Sequence, residues 1–411
     1  MINTIRIQNF KSVVDLSLDL GVFNVIIGEN GSGKSNILEA IAFGAAASAD
    51  KLDYEFLGSR GIRVANREFM FSAFTKDSFN KIHIRYDVSN TFFNYYDYLL
   101  EGAVDNPREW TSLSYAGMKD APDQIQEILK EEDDARRRKY IEALVGKDDE
   151  YIIDHIEQAA HLVRSMVNSL EELDNNIISA VFHTFMRRGL NDKTISKFII
   201  YSPEQSSLRK FEETSQIYPL GIKGEGLFQY LKEISLDQEK KEMLQEIKES
   251  LLLLDWYEGF EVPENAVSNE FSLQIKDKYV DPTLKYFDQR STNEGFLYLL
   301  FFSTLFISDL TPSFFAIDNI DASFNPKLCM RLTKHLISLA KKHNKQVIVT
   351  TQNPAILDGL DLSDNDQRLF VVRRNDEGHT KATRIDYKPE RKVKLSEAWT
   401  GGYIGGLPDN F

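Results

Sequence analysis

The segment GENGSGKS, Gly28 to Ser35, constrains the fold of this chain more than any other stretch of its 411 residues. It matches the P-loop pattern, in which a glycine, four residues and a second glycine precede Lys-Ser. The apolar run VFNVII before it predicts a strand, and KSNILEAIAFGAAA after it predicts a helix from Lys34 to about Ala47. A strand, a glycine-rich turn and a helix in this order predict a phosphate-binding site.

Each residue type in the P-loop has a physical role. Glycines let the backbone turn tightly enough for successive N–H groups to point at phosphate oxygens, and the helix N-terminus adds a partial positive charge. Lys34 is expected to reach the β- and γ-phosphates, and Ser35 to bind Mg²⁺ through its hydroxyl. The predicted site for ATP and Mg²⁺ contains the loop residues Asn30, Gly31, Ser32, Gly33, Lys34, Ser35 and Asn36.

Composition limits the classes of protein and partner. The chain is 42% hydrophobic and 11% aromatic, which predicts a folded core rather than disorder. Its 49 Lys and Arg residues face 63 Asp and Glu residues, so the net charge is −14. A chain this acidic is not expected to coat DNA, and any DNA contact requires a local basic face or a partner protein.

The sequence also predicts a cytoplasmic location. Cys329 is the one cysteine, which excludes an internal disulfide and fits a reducing compartment. The N-terminus MINTIRIQNF lacks the pattern of a signal peptide. The most apolar window, GFLYLLFFSTLFISDL, is shorter than the ~20 residues that span a bilayer, so a buried helix is expected there and no membrane contact.

Three parts are predicted along the chain. Residues 1–100 contain apolar strands and the P-loop and form an N-terminal lobe. Dense charge and helical spacing from about Asp120 predict a helical insertion, assigned to residues 101–195. Residues 196–411 form a second lobe, in which the apolar runs SFFAID, QVIVTT and RLFVVRRN alternate with helical segments. This α/β alternation predicts a mostly parallel sheet.

The opening stretch IRIQNFKSVVDLSLDLGVFNVIIGENGSGKSNILEAI resembles the ATP-binding-cassette (ABC) heads of the structural-maintenance-of-chromosomes (SMC) and recombination-repair type. In those heads two lobes flank an insertion, which fits the separation of about 290 residues between Gly28 and Asp318. The resemblance implies an α/β ABC-type ATPase head, a mixed sheet with a P-loop lobe, a second lobe and a helical insertion. More narrowly, YSPEQSSLRKF, PLGIKGEGLF, STNEGFLYLL and LSEAWTGGYIGGLPDNF resemble the bacterial AAA-type ATPases related to the overcoming-lysogenization-defect (OLD) group.

The resemblance implies that two subunits share each nucleotide. The stretch RSTNEGFLYLL matches the signature loop of such heads, which contacts the γ-phosphate held by the other subunit. Asn293 stands at the usual serine position, followed by Glu294 and Gly295. A purely structural alternative is that STNE caps the apolar helix that follows it. Lys11, in the NFKS stretch, is implied to reach the nucleotide or, alternatively, is an exposed charge beside Phe10.

The resemblance also implies that the residues used for hydrolysis are altered. Asp318, after the strand SFFAI, corresponds to the carboxylate that holds Mg²⁺ through water. Asn319 replaces the glutamate that activates the attacking water, and Gln352 replaces a histidine that senses the γ-phosphate. Asparagine can position a water but cannot accept its proton, and general-base assistance is typically worth ~10²–10⁴-fold. Nucleotide binding is therefore expected with weak or absent hydrolysis.

The functional hypothesis from the sequence is a bacterial antiphage ATPase. It would form a homodimer or higher homo-oligomer, act as sensor or scaffold, and control a separately encoded effector nuclease of the HNH or toprim type that contacts DNA. The Septu system is the preferred analogue, with the PARIS system and retron-associated ATPases as further possibilities. Two alternatives remain: an active ATPase of the SMC and RecF kind in DNA repair or recombination, and a scaffold that functions without nucleotide.

Overall fold

Strands and helices follow one another largely where the apolar patterns predict them. The computed structural model describes residues 1–74, 81–89, 93–102, 109–118, 127–145, 153–154, 156–158, 160–161, 164, 192–210, 217–262, 273–281, 286–288, 290–322 and 324–407. The described strands are β1 Ile2–Phe10, β2 Val13–Asp19, β3 Phe23–Ile27, β4 Lys81–Val88, β5 Phe93–Gly102, β6 Trp110–Met118, β7 Ile200–Tyr201, β8 Tyr257–Glu261, β9 Gln274–Asp277, β10 Phe314–Ile317, β11 Gln346–Thr350, β12 Gln367–Arg374 and β13 Thr380–Arg384. The described α-helices are α1 Lys34–Ser48, α2 Tyr54–Ser59, α3 Asp134–Val145, α4 Lys193–Ser196, α5 Gln205–Leu208, α6 Leu227–Leu236, α7 Lys241–Ser250, α8 Glu294–Ile307, α9 Pro326–Lys342 and α10 Leu395–Thr400.

The first compact unit is an antiparallel sheet with the C-terminal end of α1. It comprises residues 1–19, 43–54 and 65–196, and its strands lie in the order β2-β1-β4-β5-β6. Phe43 packs its ring on Phe10 and, edge to face, on Trp110, with centroids 5.9 and 4.9 Å away. A Cβ atom built at Gly44 would lie 2.5 Å from the hydroxyl of Tyr86, so the helix approaches the sheet closely there.

A strand lies near the start of the range assigned to the helical insertion. β5 continues to Gly102 and pairs antiparallel with β6, with Tyr98 opposite Ser114. The first part of residues 101–195 therefore extends the sheet, because a neighbouring strand satisfies its backbone hydrogen bonds. Helical residues are described in this range at 127–130, in α3, at several positions between 153 and 164, and in α4, whereas residues 119–126, 146–152 and 165–191 lie outside the described chain. The three-part division itself remains a prediction.

The second compact unit contains a mostly parallel sheet, as predicted. It comprises residues 20–42, 55–64 and 197–411, and its six strands lie in the order β13-β12-β3-β11-β10-β7. Pairing is parallel throughout except between β12 and β13. Every residue of β3, β10 and β11 is buried, which explains why these strands are continuous apolar runs in the sequence. The α/β class predicted from the sequence is confirmed.

The apolar window GFLYLLFFSTLFISDL, which the sequence predicts to be a buried helix, contains most of the buried helix α8. All residues of α8 from Phe296 to Ile307 are buried, and they pack in the core with the helices α6 and α9. Within the described ranges, no helix combines the length and apolarity needed to cross a membrane.

Candidate nucleotide site

The parallel sheet brings three functional segments to one edge. The P-loop follows β3, Asp318 follows β10 and Gln352 follows β11, and parallel strands end on the same side of a sheet. The carboxyl ends of such strands are where open α/β proteins bind their ligands. The candidate site is therefore a consequence of strand order, although its segments are far apart in sequence.

The P-loop has the backbone that its sequence predicts. Gly31 and Gly33 have φ angles of 79° and 106°, in the left-handed region that side chains rarely enter. Gly28 is needed for a close approach, because a Cβ atom there would lie 2.1 Å from the carbonyl oxygen of Val372. Helix α1 begins directly after the loop at Lys34, so the helix N-terminus faces the loop.

Lys34 lies within the curve of the P-loop. Its ammonium group donates hydrogen bonds to the carbonyl oxygens of Gly28 at 2.7 Å and Glu29 at 2.9 Å. Burial lowers the pKa of Lys34, while the nearby carboxylates of Asp318 and Glu29 act in the opposite direction. A phosphate group in the loop would meet this lysine without a large movement of its backbone.

Ser35 and Asp318 are brought together as the sequence predicts for a metal site. The hydroxyl of Ser35 donates to Oδ2 of Asp318 at 3.2 Å, although the two residues are 283 positions apart. The other carboxylate oxygen of Asp318 accepts a hydrogen bond from the hydroxyl of Thr350. Hydroxyl and carboxylate oxygens are the hard ligands that Mg²⁺ prefers, so this donor pair fits the ion.

Ser32 offers a further donor in the loop. Its side chain is 1% exposed, and its hydroxyl has no hydrogen-bond partner among the described residues. Buried hydroxyl groups are usually paired, and a phosphate oxygen would satisfy this one. Asn36, the last residue of the predicted loop set, accepts a hydrogen bond from Arg63 at 3.3 Å.

Asn319 has an unusual backbone in addition to its altered side chain. Its φ angle is 58°, and its N–H donates to the hydroxyl of Thr350 at 2.9 Å. Asparagine enters the left-handed region more readily than glutamate does, because its short side chain bonds locally. The conformation is thus a second reason for asparagine here, beside the predicted role in positioning water.

Gln352 contacts the P-loop directly. Its side-chain amide donates to the side-chain oxygen of Asn30 at 2.7 Å, across 322 positions of sequence. Gln352 therefore lies beside the P-loop, and its role as a γ-phosphate sensor remains a prediction. A neutral amide can donate a hydrogen bond to phosphate there but cannot add positive charge.

The predicted signature loop begins a helix. Asn293 is the N-cap of α8, and its side-chain oxygen accepts the N–H of Phe296 at 2.9 Å. Glu294 and Gly295 form the first turn, so the capping alternative is correct as a local description. The loop lines a cavity of about 510 Å³ together with the N-terminus of α9, where Asn325 is the cap. Contact with a phosphate of another subunit remains a prediction.

Lys11 belongs to the other compact unit. It lies in the turn between β1 and β2 with a φ angle of 48°, and its ammonium group is 5.4 Å from the centroid of the Phe10 ring. Its predicted contact with nucleotide remains a prediction.

Two carboxylates that the sequence did not single out share a cavity with Ser35 and Asp318. The cavity has a volume of about 210 Å³, and Glu39 and Glu204 contribute to its lining. Glu39 forms an ion pair with Arg63, and Glu204 forms one with Lys223 at 2.9 Å. Both carboxylates are thus held by cations beside the candidate metal site, and neither occupies the position of Asn319.

A model of a known protein family matches most of the chain. The family is described as "AAA domain, putative AbiEii toxin, Type IV TA system", and the match covers residues 23–358. The chain belongs to this family. The match includes the P-loop, Asp318, Asn319 and Gln352, and it identifies the chain as an AAA-type ATPase domain. A narrower assignment to the Septu type is not established by this match.

Relatives with curated descriptions match this AAA-type domain over a short segment. The DNA replication and repair protein RecF of Brucella abortus (strain 2308) is 49% identical over 43 residues, which are 10% of this chain and 11% of RecF. The uncharacterized protein MJECL10 of Methanocaldococcus jannaschii is 51% identical over 43 residues, which are 10% of this chain and 20% of that protein. The chain thus matches only a small part of the length of these relatives.

A solved structure matches nearly the whole domain. An SMC head bound to the C-winged helix domain of ScpA superposes with a TM-score of 0.53 at 16% sequence identity, covering 94% of this chain and 98% of that one. At this identity the likeness establishes the fold. It agrees with the head architecture expected from the opening stretch.

Proposed function

We propose that this chain is a MgATP-binding, ABC-type ATPase subunit of the cytoplasm. The observation that carries the proposal is the contact between Ser35 and Asp318 beside an intact P-loop. Lys34 and the loop N–H groups would bind the phosphates, while Ser35 and Asp318 would hold Mg²⁺. The bound ion would neutralise phosphate charge and orient the terminal phosphate.

We propose further that the nucleotide is shared between two chains arranged head to tail. Asn293, Glu294 and Gly295 of one chain would meet the phosphates bound by Lys34 of the other. The start of α8 supports this, because a helix N-terminus favours an anion. The cap uses the side-chain oxygen of Asn293, so its amide nitrogen is the group that would donate to phosphate.

Hydrolysis in this proposal is slow or absent, and nucleotide acts as a switch at the interface. Asn319 lacks a basic carboxylate, and Gln352 lacks a positive charge, while the phosphate-binding residues are intact. Glu39 and Glu204, the two acidic side chains besides Asp318 that line the cavity of about 210 Å³, are already paired with cations, which supports a low rate.

The biological role that we propose is that of a sensor or scaffold in bacterial antiphage defence. The chain would control a separately encoded nuclease of the HNH or toprim type. This step rests on the resemblance of YSPEQSSLRKF, STNEGFLYLL and the C-terminal stretch to OLD-related ATPases, and is therefore an analogy. The net charge of −14 supports DNA contact through the partner rather than through this chain.

The test is MgATP binding and turnover by the wild type and Lys34→Ala. We expect the wild type to bind MgATP in calorimetric titration with turnover far below the ~10 s⁻¹ median of enzymes. Lys34→Ala should lose binding while keeping its thermal midpoint. Rapid turnover by the wild type would contradict the switch, and equal binding by both proteins would contradict the assigned site.

A second function is favoured by the RecF match, namely an active ATPase in DNA repair or recombination. That function requires robust turnover that DNA stimulates. The same turnover assay with and without double-stranded DNA distinguishes the two, because a slow switch whose partner contacts DNA should not respond to DNA by itself.

A further inference from the structure

The hairpin formed by β12 and β13 lies against the P-loop. It spans Gln367–Arg384, beyond the residues 23–358 matched by the family model. β12 runs parallel to β3, with Val371 opposite Ile27, and continues beside the loop that follows β3. The carbonyl oxygen of Val372 approaches Gly28 so closely that no Cβ atom would fit between them.

Two side chains of this hairpin donate hydrogen bonds to neighbouring carbonyl groups of the loop. Nε of Arg374 donates to the oxygen of Gly31 at 2.9 Å, and the hydroxyl of Thr380 donates to the oxygen of Ser32 at 3.0 Å. Arg374 and Thr380 are cross-strand partners, so they lie on the same face of the hairpin. The contact is therefore made by one face of one supersecondary unit.

These bonds suit the way in which a P-loop binds anions. N–H groups that converge on a phosphate require the peptide planes to be held in a fixed orientation, with their carbonyl groups directed elsewhere. Arg374 and Thr380 hold two successive carbonyl groups, those of Gly31 and Ser32, and so limit rotation of these planes. The positive charge of Arg374 also lies next to the loop, and Gln352 contributes no charge there.

We propose that Arg374 is a positioning residue that strengthens nucleotide binding, because it orients the P-loop through Gly31 and adds a positive charge near the site of the ATP phosphates. Thr380 is a positioning residue in the same contact. This inference rests on the proposed function, because it assigns a further residue to the same ATP site. Arg374 is exposed, so salt is expected to screen its charge.

The sequence provides a matched control. Arg373 precedes Arg374 on β12 and is exposed as well, but alternation along a strand places it on the other face, opposite Lys381. Arg373→Gln and Arg374→Gln remove the same charge from adjacent positions. Arg374→Lys keeps the charge and removes the planar guanidinium that bonds Gly31.

The experiment is calorimetric titration of these variants with MgATP at 0.05 M and 1 M salt, beside the wild type and Lys34→Ala. Arg374→Gln should weaken binding about tenfold at low salt, as expected for a charge near the phosphates, and clearly less at high salt. Arg373→Gln should stay within about twofold of the wild type, and Arg374→Lys should fall between the two glutamine variants. The midpoints of thermal unfolding of these variants should equal that of the wild type.

Each contrary result has its own meaning. Equal affinities of Arg373→Gln and Arg374→Gln would overturn the inference while leaving the ATP site intact. A loss in Arg374→Gln that is the same at both salt concentrations would overturn the contribution of its charge. If the wild type and Lys34→Ala both fail to bind MgATP, the proposed function is wrong and this inference falls with it.

Discussion

Asn319 has a neutral side chain that cannot act as a base and a backbone in the left-handed region, and substitutions can separate these two properties. Glutamate would restore a base near Asp318, but it would have to adopt a φ angle of 58°, which costs about 1–2 kcal/mol for a residue without local side-chain bonding. Aspartate tolerates this backbone, yet its carboxylate is one methylene shorter. The side chain and the backbone at this position thus both favour asparagine.

We expect Asn319→Glu to raise the rate of ATP hydrolysis by at least ~10-fold and to lower the thermal midpoint. Asn319→Asp should keep the midpoint and change the rate less. Asn344→Glu is a control for the backbone cost, because Asn344 has a φ angle of 52° at an exposed position outside the site. Steady-state phosphate release measures the rate, and an unchanged rate in Asn319→Glu would argue against Asn319 as the water-positioning residue.

Asp364 predicts an acid-dependent contribution to stability. Its hydrogen bond with Lys341, at 2.7 Å, lowers the pKa of its carboxyl group to about 2. Because this value lies below that of the unfolded chain, near ~3.9, the stabilisation is complete above about pH 4 and is lost as the pH falls towards 2. Both side chains are partly exposed, so the contribution is expected to be at most about 1 kcal/mol.

The measurement is urea unfolding of the wild type and Asp364→Asn between pH 3 and pH 7. The free energies of unfolding should differ most above pH 4 and converge as the pH falls. Lys341→Met should remove the same pH dependence. A difference between wild type and Asp364→Asn that does not change with pH would refute the pairing.

At the scale of elements, Lys345, which precedes β11, forms hydrogen bonds with the segment that connects α8 to β10. The residue is 4% exposed, and its ammonium group donates to the carbonyl oxygens of Ser308 at 2.7 Å and Thr311 at 3.0 Å. Burial lowers the pKa of Lys345 to about 8, with Asp309 acting in the opposite direction. The residue is therefore still charged at pH 7, and it bonds the segment that connects α8 to β10, the strand that Asp318 follows.

Lys345→Met should lower the free energy of unfolding by about 1–3 kcal/mol, because buried carbonyl groups lose their donor. Lys334→Met, at an exposed position of α9, is the matched control and should change stability by less than about 0.5 kcal/mol. Chemical denaturation at pH 7 measures both variants, and equal effects would mean that Lys345 does not stabilise this connection.

The elements that the sequence predicts well are those whose burial is visible in their own residues as an apolar pattern. β3, β10 and β11 are buried on both faces and are uninterrupted apolar runs, so their positions, and with them the edge that carries Lys34, Asp318 and Gln352, could be predicted. β13 is five residues long with two threonines and two basic residues, and its strand conformation depends on pairing with β12. The turn sequence NDEG between β12 and β13 is the sequence feature that could have predicted this hairpin.

The site residues that could be predicted are likewise those that a sequence pattern marks. A P-loop and the residues after apolar strands follow from sequence pattern, because parallel strands end together. The contact of Arg374 with Gly31 could not be predicted, since a backbone carbonyl carries no residue-specific pattern and the two are 343 positions apart. The left-handed backbone of Asn319 is likewise a property of the turn after β10 rather than of a motif.

At the scale of the whole molecule, each proposed nucleotide site takes half of its residues from another chain. The fold agrees with an SMC head, and one chain contains the P-loop, the Ser35–Asp318 pair that we propose as metal ligands, and helix α8 with its Asn293 cap. A sandwiched nucleotide would link two acidic chains whose net charge of −14 each opposes association, so the phosphate contacts must supply the attraction. Slow turnover would make that association last.

The mass of the protein in solution, measured by light scattering with and without MgATP, tests this central claim most directly. We expect MgATP to raise the mass from that of one chain to at least that of two, and the larger species to persist while little ATP is consumed. Lys34→Ala should keep the smaller mass at every nucleotide concentration. A wild-type mass that is the same with and without MgATP would contradict the claim that nucleotide holds the subunits together.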